Sequence, residues 1–205
     1  MATRARSITA ELADRFRIEA SARGVVRLAP GRGDVAASAA ARRHAARARA
    51  ELAEYFAGRR TYFSVPVDLD GLPPFQARVL AEASRVGYGA RTSYTALARR
   101  VGAARAARAV GNALAANPVP ILVPCHRVVR SDGSWGHYAF GGALKTALLG
   151  LEEQPALVGC STTRIVCHRG CPAGRRMRPE HGVTFRSLTD ARDAGYRACR
   201  ICRPA

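Results

Sequence analysis

The stretch NPVPILVPCHRVV, from Asn117 to Val129, decides how this chain reads. From Pro118 to Arg130 the segment is apolar and proline-flanked, and the run before the cysteine reads as extended. The run ends on a lone cysteine followed directly by a histidine. A thiol reacts as its thiolate, and free cysteine has a pKa near ~8.5, so a nucleophilic Cys125 needs somewhere to send its proton. His126 is adjacent in sequence, which does not by itself turn the ring towards the sulfur, and a bridging water would close that gap. A carboxylate behind the histidine would fix its tautomer and stabilise the imidazolium. On the pair alone a second reading stays open, in which Cys125 is a buried cysteine acting as a small hydrophobe.

Moving outward, the flanks read as helices. Phe75–Val86 carries one; Ser93, three residues ahead of Ala96, caps another that runs through Arg100; Gly102 breaks the pattern; Ala103–Ala116 forms the next. Two short helices around a tight glycine turn fit a helix-turn-helix or, equally on spacing, two ordinary packed helices. Ala143–Glu152 closes this part. Upstream, residues 1–70 open with a helical pattern. A strand at Gly24–Pro30 follows, and then a long alanine- and arginine-rich helix from about Ala36 to Phe56, with Leu52, Tyr55 and Phe56 on one face. Gly58 stops that helix, and the apolar alternation of Thr61–Leu69 reads as a second strand. Downstream of a boundary at Gln154-Pro155 the composition turns rich in cysteine and arginine. The expected class is α+β: a small α/β domain at 1–70, a mainly helical domain with a helix-turn-helix at 71–153, and a small mixed domain at 156–205.

The 205 residues carry a formal net charge of +18, and all the positive side chains except Lys145 and the histidines are arginines. Such a balance suits a polyanion partner, nucleic acid above all, although an arginine- and alanine-rich composition of genomic origin gives the same charge. No apolar run is long enough for a membrane span. The basic start lacks the apolar core of a secretory signal, and Glu11 and Asp14 argue against a targeting peptide. The expected location is the cytoplasm, at the nucleoid when bound to DNA, with no membrane partner. Six cysteines are present, five of them in the last 46 residues. Cys167, Cys171, Cys199 and Cys202 form C-x3-C and C-x2-C pairs with 27 residues between them. Two close pairs across a loop suit tetrahedral Zn2+, with disulfides as the alternative where a secretory route exists. Cys160 lies outside the pairs and reads as a buried strand residue.

The segment Phe75–Glu152 resembles the O6-alkylguanine-DNA alkyltransferases, the methylated-DNA–protein-cysteine methyltransferases. The resemblance is carried by SYTALA (Ser93–Ala98), AARAVGNALAANPVPILVPCHRVV (Ala106–Val129), the SDG turn (Ser131–Gly133) and GHYAFGGALKTALLGLE (Gly136–Glu152). Residues 24–70 also look like a shortened form of the small N-terminal domain of that family. The resemblance implies a DNA repair protein that spends one molecule per lesion. In it Cys125 takes the alkyl group from guanine O6, His126 deprotonates Cys125 through water, Glu152 supports His126 and Asn117 orders the turn. It implies that Tyr94 crowds a phosphate as the nucleotide rotates out, Arg108 enters the base stack, and Tyr138 donates to the leaving oxygen or flanks the base. The Cys125 and Val128 backbone reads the exocyclic amine. Double-stranded DNA is the implied partner of a monomer. Leu80, Gly87 and Thr95 depart from the family pattern away from the cysteine network.

The last segment, through STTRIVCHRGCPAGRRMRPEHGVTF (Ser161–Phe185) and DAGYRACRICRP (Asp193–Pro204), resembles the metal-binding domain of Ada-type phosphotriester repair proteins. That resemblance implies a zinc site at Cys167, Cys171, Cys199 and Cys202, with Cys167 a second methyl acceptor. Arg164, Arg169, Arg175, Arg176 and Arg178 would either meet phosphates or form a solvated basic face. The unit departs from the family in standing C-terminal, without a following regulatory helix-turn-helix pair, and in carrying His168–Gly170 after the first cysteine. The competing reading for the whole chain is a non-reactive damage sensor or DNA-binding regulator, and retention of Cys125 with His126, Asn117 and Glu152 argues against it.

Overall fold

The computed structural model describes residues 12–136, 138–153, 157–168, 171–174, 177–185 and 187–204. The opening residues of the expected first helix, the boundary dipeptide Gln154-Pro155, and Arg169, Arg175 and Arg176 lie outside them.

Strand β1 (Phe16–Ala20) is the centre of a three-stranded sheet, antiparallel to β2 (Val25–Pro30) and parallel to the short β3 (Asp34–Val35). Sequence reading put a helical pattern where β1 stands. The alternation of buried Phe16 and Ile18 with charged Arg17 and Glu19 is the strand signal that it passed over. Helix α1 (Ala39–Phe56) covers the sheet; Ser38 caps it by accepting from the Ala41 amide at 3.1 Å. Its buried face, Ala41, Ala45, Ala48, Leu52 and Tyr55, repeats every three to four residues, as one side of a helix must.

Thr61–Leu69 is not a strand. A single bridge, Val25 with Val67, is all the pairing it makes. Two features explain the loss. Pro66 offers no amide, though its carbonyl accepts from Val25. The buried Glu51 carboxylate draws in the amides of Ser64 (2.8 Å) and Val65 (3.1 Å), so these donors bind a side chain instead of a neighbouring strand.

Helices α2 (Pro74–Ser84), α3 (Tyr94–Arg100), α4 (Ala107–Ala115) and α5 (Gly142–Glu152) build the middle of the chain. Ser93 caps α3, accepting from Ala96 at 3.0 Å. Gly102, at φ +74°, turns the chain towards α4, which begins at Ala107 rather than Ala103. Strand β4 (Thr92–Ser93) pairs in parallel with β5 (Val128–Val129), so the entry to the α3–α4 pair is tied to the residues just after Cys125. One continuous apolar core runs from Ala13 and Phe16 through Leu52, Val79, Leu97 and Val119 to Leu148.

The C-terminal part has its own core of Leu157, Val166, Phe185, Leu188, Ala191 and Tyr196. Its sheet runs in the order β8 (Gly182–Phe185), β6 (Leu157–Cys160), β7 (Ile165–His168), β9 (Arg197–Ala198). Helix α6 (Leu188–Asp193) starts with a capping box between Ser187 and Asp190. No helix among the described residues is long and apolar enough to cross a membrane.

Candidate active site

Between α4 and β5 the chain makes a tight turn that Asn117 holds from inside. Its Oδ1 accepts from the Val119 amide (3.0 Å) and its Nδ2 donates to the Val123 carbonyl (3.0 Å). Ile121 within that turn has φ +73°, a region a β-branched residue rarely enters. The chain then enters a single turn of 3₁₀-helix, Cys125–Arg127, whose three side chains are all buried. Asn117 Nδ2 also reaches the Cys125 sulfur at 3.1 Å, so the residue that shapes the turn touches the thiol as well. Burial pushes the Cys125 thiol above its ordinary value; the Asn117 amide and the Lys145 charge pull the other way.

His126 is fully buried, and its Nε2 lies 2.9 Å from Glu152 Oε1. Because the carboxylate can only accept, Nε2 carries a proton and Nδ1 is the basic nitrogen of the neutral ring. Nδ1 has no hydrogen-bond partner among the described residues. Burial lowers the His126 pKa, opposed by Glu152, so the ring is neutral at neutral pH and able to accept a proton.

Glu152 is a hub, accepting from His126, from Tyr55 Oη at 2.6 Å, and from Arg127 Nε at 2.9 Å and Arg127 Nη2 at 2.8 Å. Burial alone would raise its pKa, but the hydrogen bonds from His126 and Arg127 and the Arg127 charge outweigh that and hold it at about 2. Tyr55 and Arg127 escaped sequence reading. Arg127 directly follows His126, and an arginine closing an otherwise apolar motif was the available signal. Tyr55 comes from α1, and nothing in the sequence links two positions 97 residues apart.

The other expected residues surround this turn. Tyr94, at the start of α3, is half-buried beneath Gly136; a Cβ at Gly136 would lie 2.9 Å from Tyr94 Oη, and φ there is +64°. Glycine is therefore required. Tyr138 is buried and its hydroxyl has no partner among the described residues. Burial and the nearby Cys125 raise its pKa well above the ordinary tyrosine value, so it stays a donor. Arg108 is exposed in the first turn of α4 and makes no contact with the Cys125 network. The Val128 carbonyl, expected to be open for a base, already accepts from Lys145 Nζ at 2.7 Å, and the Cys125 carbonyl accepts from the Val128 amide. Each keeps one lone pair for a further donor.

A second cluster lies in the C-terminal part. Cys167 on β7, Cys171 after it, and Cys199 and Cys202 after β9 bring four sulfurs within 4.8 Å of one another. A tetrahedron with Zn–S bonds of ~2.3 Å has S···S edges of roughly 3.8 Å, so the donor set fits zinc in both number and spacing. Backbone amides support it: His168 N donates to Cys202 Sγ and Ile201 N to Cys199 Sγ, each at 3.4 Å. Burial and the neighbouring sulfurs push the Cys167 thiol upward, while at Cys199 burial is outweighed by hydrogen bonds from the Cys202 and Ile201 amides, which hold it at about 7; a bound cation would favour the thiolate at all four. Cys160 is not the buried strand residue expected. It ends β6 half-buried, and its sulfur lies 3.1 Å from Thr162 Oγ1. The cluster faces the N-terminal part through His168, whose Nδ1 is 3.2 Å from Thr61 Oγ1 and whose ring packs on Tyr62 at 5.3 Å.

Residues 74–154 match the family described as 6-O-methylguanine DNA methyltransferase, DNA binding domain, and residues 153–205 match the metal binding domain of Ada. The mouse methylated-DNA–protein-cysteine methyltransferase is 45% identical over 120 residues, half of this chain and 57% of the mouse protein. The Mycobacterium leprae protein of the same name is 44% identical over 112 residues, covering 55% of this chain and 67% of that protein. Among solved structures, Mycobacterium tuberculosis OGT in complex with DNA aligns with a TM-score of 0.56 at 34% identity, covering 67% of this chain and 92% of that one. The chain thus spans little more than half the length of the mouse relative.

Proposed function

The chain belongs to the methylated-DNA–protein-cysteine methyltransferase family, and from that premise we propose that it repairs O6-alkylguanine in double-stranded DNA by taking the alkyl group irreversibly onto Cys125. The observation that carries this reading is the buried row Cys125, His126, Glu152, in which Glu152 occupies Nε2 and leaves Nδ1 as the base. The Cys125 thiol gives its proton, through water, to His126 Nδ1. The thiolate attacks the alkyl carbon, an S–C bond forms and the C–O6 bond breaks. The departing guanine takes up one proton, so thiol plus O6-alkylguanine become thioether plus guanine. Tyr138, held as a donor by its buried setting, faces the leaving oxygen. A thioether has no ready leaving path, so each molecule acts once.

An alkylated guanine inside a duplex must leave the stack to meet a buried sulfur. Arg108, exposed on α4, fills the gap, since a planar guanidinium stacks on bases. Tyr94 crowds the phosphate during rotation, and the remaining lone pairs of the Cys125 and Val128 carbonyls read the exocyclic amine. Cys167, Cys171, Cys199 and Cys202 hold Zn2+, which keeps the four sulfurs deprotonated when bound. Cys167 also lines a cavity of about 340 Å3 with Arg178 and His181, which suits it as a second acceptor facing methyl phosphotriesters. The chain acts as a monomer in the cytoplasm.

The test is peptide mass spectrometry of the zinc-loaded full chain after mixing with duplex DNA carrying one O6-methylguanine. One added methyl on the Cys125 peptide, lost in Cys125→Ala, is the expected result. DNA binding without transfer would move the reading to a damage sensor. Methyl-phosphotriester DNA in a parallel sample decides whether Cys167 accepts.

A further inference from the structure

Helix α5 carries the chain's only lysine, Lys145, on its buried side with no solvent exposure. An ammonium is rarely buried unless paired. Its Nζ donates to the Val128 carbonyl at 2.7 Å and to the Trp135 carbonyl, and it stands 6.0 Å from the centre of the Tyr94 ring. Two neutral carbonyls orient this cation but do not cancel its charge. Within the buried site Glu152 is matched by Arg127, which contacts it through two nitrogens. His126 is neutral and the tyrosines Tyr94 and Tyr138 keep their protons. With Glu152 and Arg127 paired, Lys145 is left as the one uncompensated charge among these groups.

We propose that Lys145 is the counter-ion of the Cys125 thiolate, a positioning residue that supplies the buried positive charge the sulfur needs and, through its two carbonyl contacts, fixes the Val128 wall against the loop at Trp135. The proposal rests on Cys125 being the nucleophile, but not on any DNA substrate. The ionisation of the two groups is linked in both directions: burial depresses Lys145 to about 8 and Cys125 raises it, while Lys145 lowers Cys125. His126, the other titratable group affected by Lys145, is pushed further towards neutrality by it, which keeps Nδ1 free to accept the thiol proton.

A sole lysine makes the test direct. Labelling the full zinc-loaded chain with ¹⁵Nζ- and ¹³Cε-lysine gives one side-chain signal, whose pH titration reports Lys145 alone. The expected result is a lower midpoint in Cys125→Ala than in the wild type. Equal midpoints would overturn the proposal. A second arm reads the sulfur, by peptide-resolved iodoacetamide labelling of Cys125 against pH. Lys145→Met raises the labelling midpoint by about one unit or more, and Lys145→Arg, which keeps the charge, leaves it near wild type. A midpoint unmoved in folded Lys145→Met would leave Lys145 a brace only. Since neither arm contains DNA, a failure of alkyl transfer from O6-methylguanine would show separately and would not decide this result.

Discussion

The chain holds two sulfur sites, and they solve one problem differently. A buried thiolate needs compensation, because desolvation disfavours the charged form. At Cys125 the compensating groups are side chains: the Asn117 amide on the sulfur, Lys145 with its buried charge, and a histidine backed by a carboxylate. At the four-cysteine cluster the sulfurs lie within 4.8 Å of one another and call for a metal. The first arrangement leaves a sulfur able to react and needs long-range folding to assemble it. The second is almost entirely local to two short sequence pairs and depends on an ion.

The largest effects should separate the two sites. Cys125→Ala is expected to abolish alkyl transfer while the chain still binds one zinc, measured by mass spectrometry and metal analysis. Cys199→Ser is expected to do the reverse: loss of bound metal and of amide exchange protection across residues 157–204, with Cys125 still reactive. Metal binding free energy is folding free energy for such units, on the order of 10 kcal/mol in small zinc domains. If Cys199→Ser also stopped transfer at Cys125, the two sites would not be independent, and the contact of His168 with Thr61 and Tyr62 would be the route to examine.

Acid should break the Cys125 side by way of Glu152. Its carboxyl is held at about 2 in the folded chain against an ordinary 4.5. A depressed carboxylate stabilises the fold above its unfolded pKa and loses that contribution as pH falls towards the folded value. The window is therefore pH 4.5 down to about 2, and the contribution lost is roughly 3 kcal/mol. Glu152→Gln should remove most of this acid dependence. It also leaves Arg127 buried without its partner, so it should cost about 3–5 kcal/mol at neutral pH. Circular dichroism melts of both proteins from pH 7 to 3 check this, and parallel pH curves for the two would refute it.

The same contrast explains what could be read from the sequence. The four-cysteine cluster was legible because its residues come as two close pairs, a spacing that suits zinc with disulfides as the alternative. At Cys125 the Cys-His motif was legible within thirteen residues, but the run before it, read as extended, folds into a tight turn in which Ile121 takes φ +73°. What surrounds it was not. Tyr55 reaches Glu152 from 97 residues away, Arg127 looks like an ordinary neighbour, and Lys145 sits in a helix whose pattern gives no hint that an ammonium turns inward. The strand expected over Thr61–Leu69 failed for a related reason. Alternation records which side chains point inward, but the amides of Ser64 and Val65 were claimed by Glu51, a buried acid on the preceding helix. Tertiary partners decide such segments, and local pattern carries no record of them.

Asn117 permits a finer cut through the Cys125 side. Asn117→Ala removes the donor on the sulfur and leaves the Val119 amide and Val123 carbonyl without their side-chain partner. The expected cost is about 2–3 kcal/mol of stability. Transfer should slow roughly tenfold, the change that one pKa unit on the sulfur would produce. Asn117→Asp keeps the acceptor for Val119 but places a negative charge against the thiol. It should therefore melt closer to wild type than the alanine variant yet transfer more slowly. Equal rates for the two variants would mean that Asn117 serves the turn and not the sulfur.

Arg108 should give the smallest effect, and it tests whether the exposed side of the molecule shares in the work. It is free of the buried network, so Arg108→Ala should leave the melting temperature and iodoacetamide labelling of Cys125 unchanged. Two roles then predict different salt behaviour. A phosphate contact releases close to one counterion, so losing it would flatten the slope of log affinity against log salt by about 0.9. A guanidinium in the base stack releases none; its loss should leave the slope alone and slow transfer from duplex DNA, by roughly tenfold given the few kcal/mol that extruding a base costs. Transfer from the free alkylated base needs no extrusion and should not change. A flattened slope with unchanged duplex transfer would return Arg108 to the general basic surface and leave base extrusion to other residues.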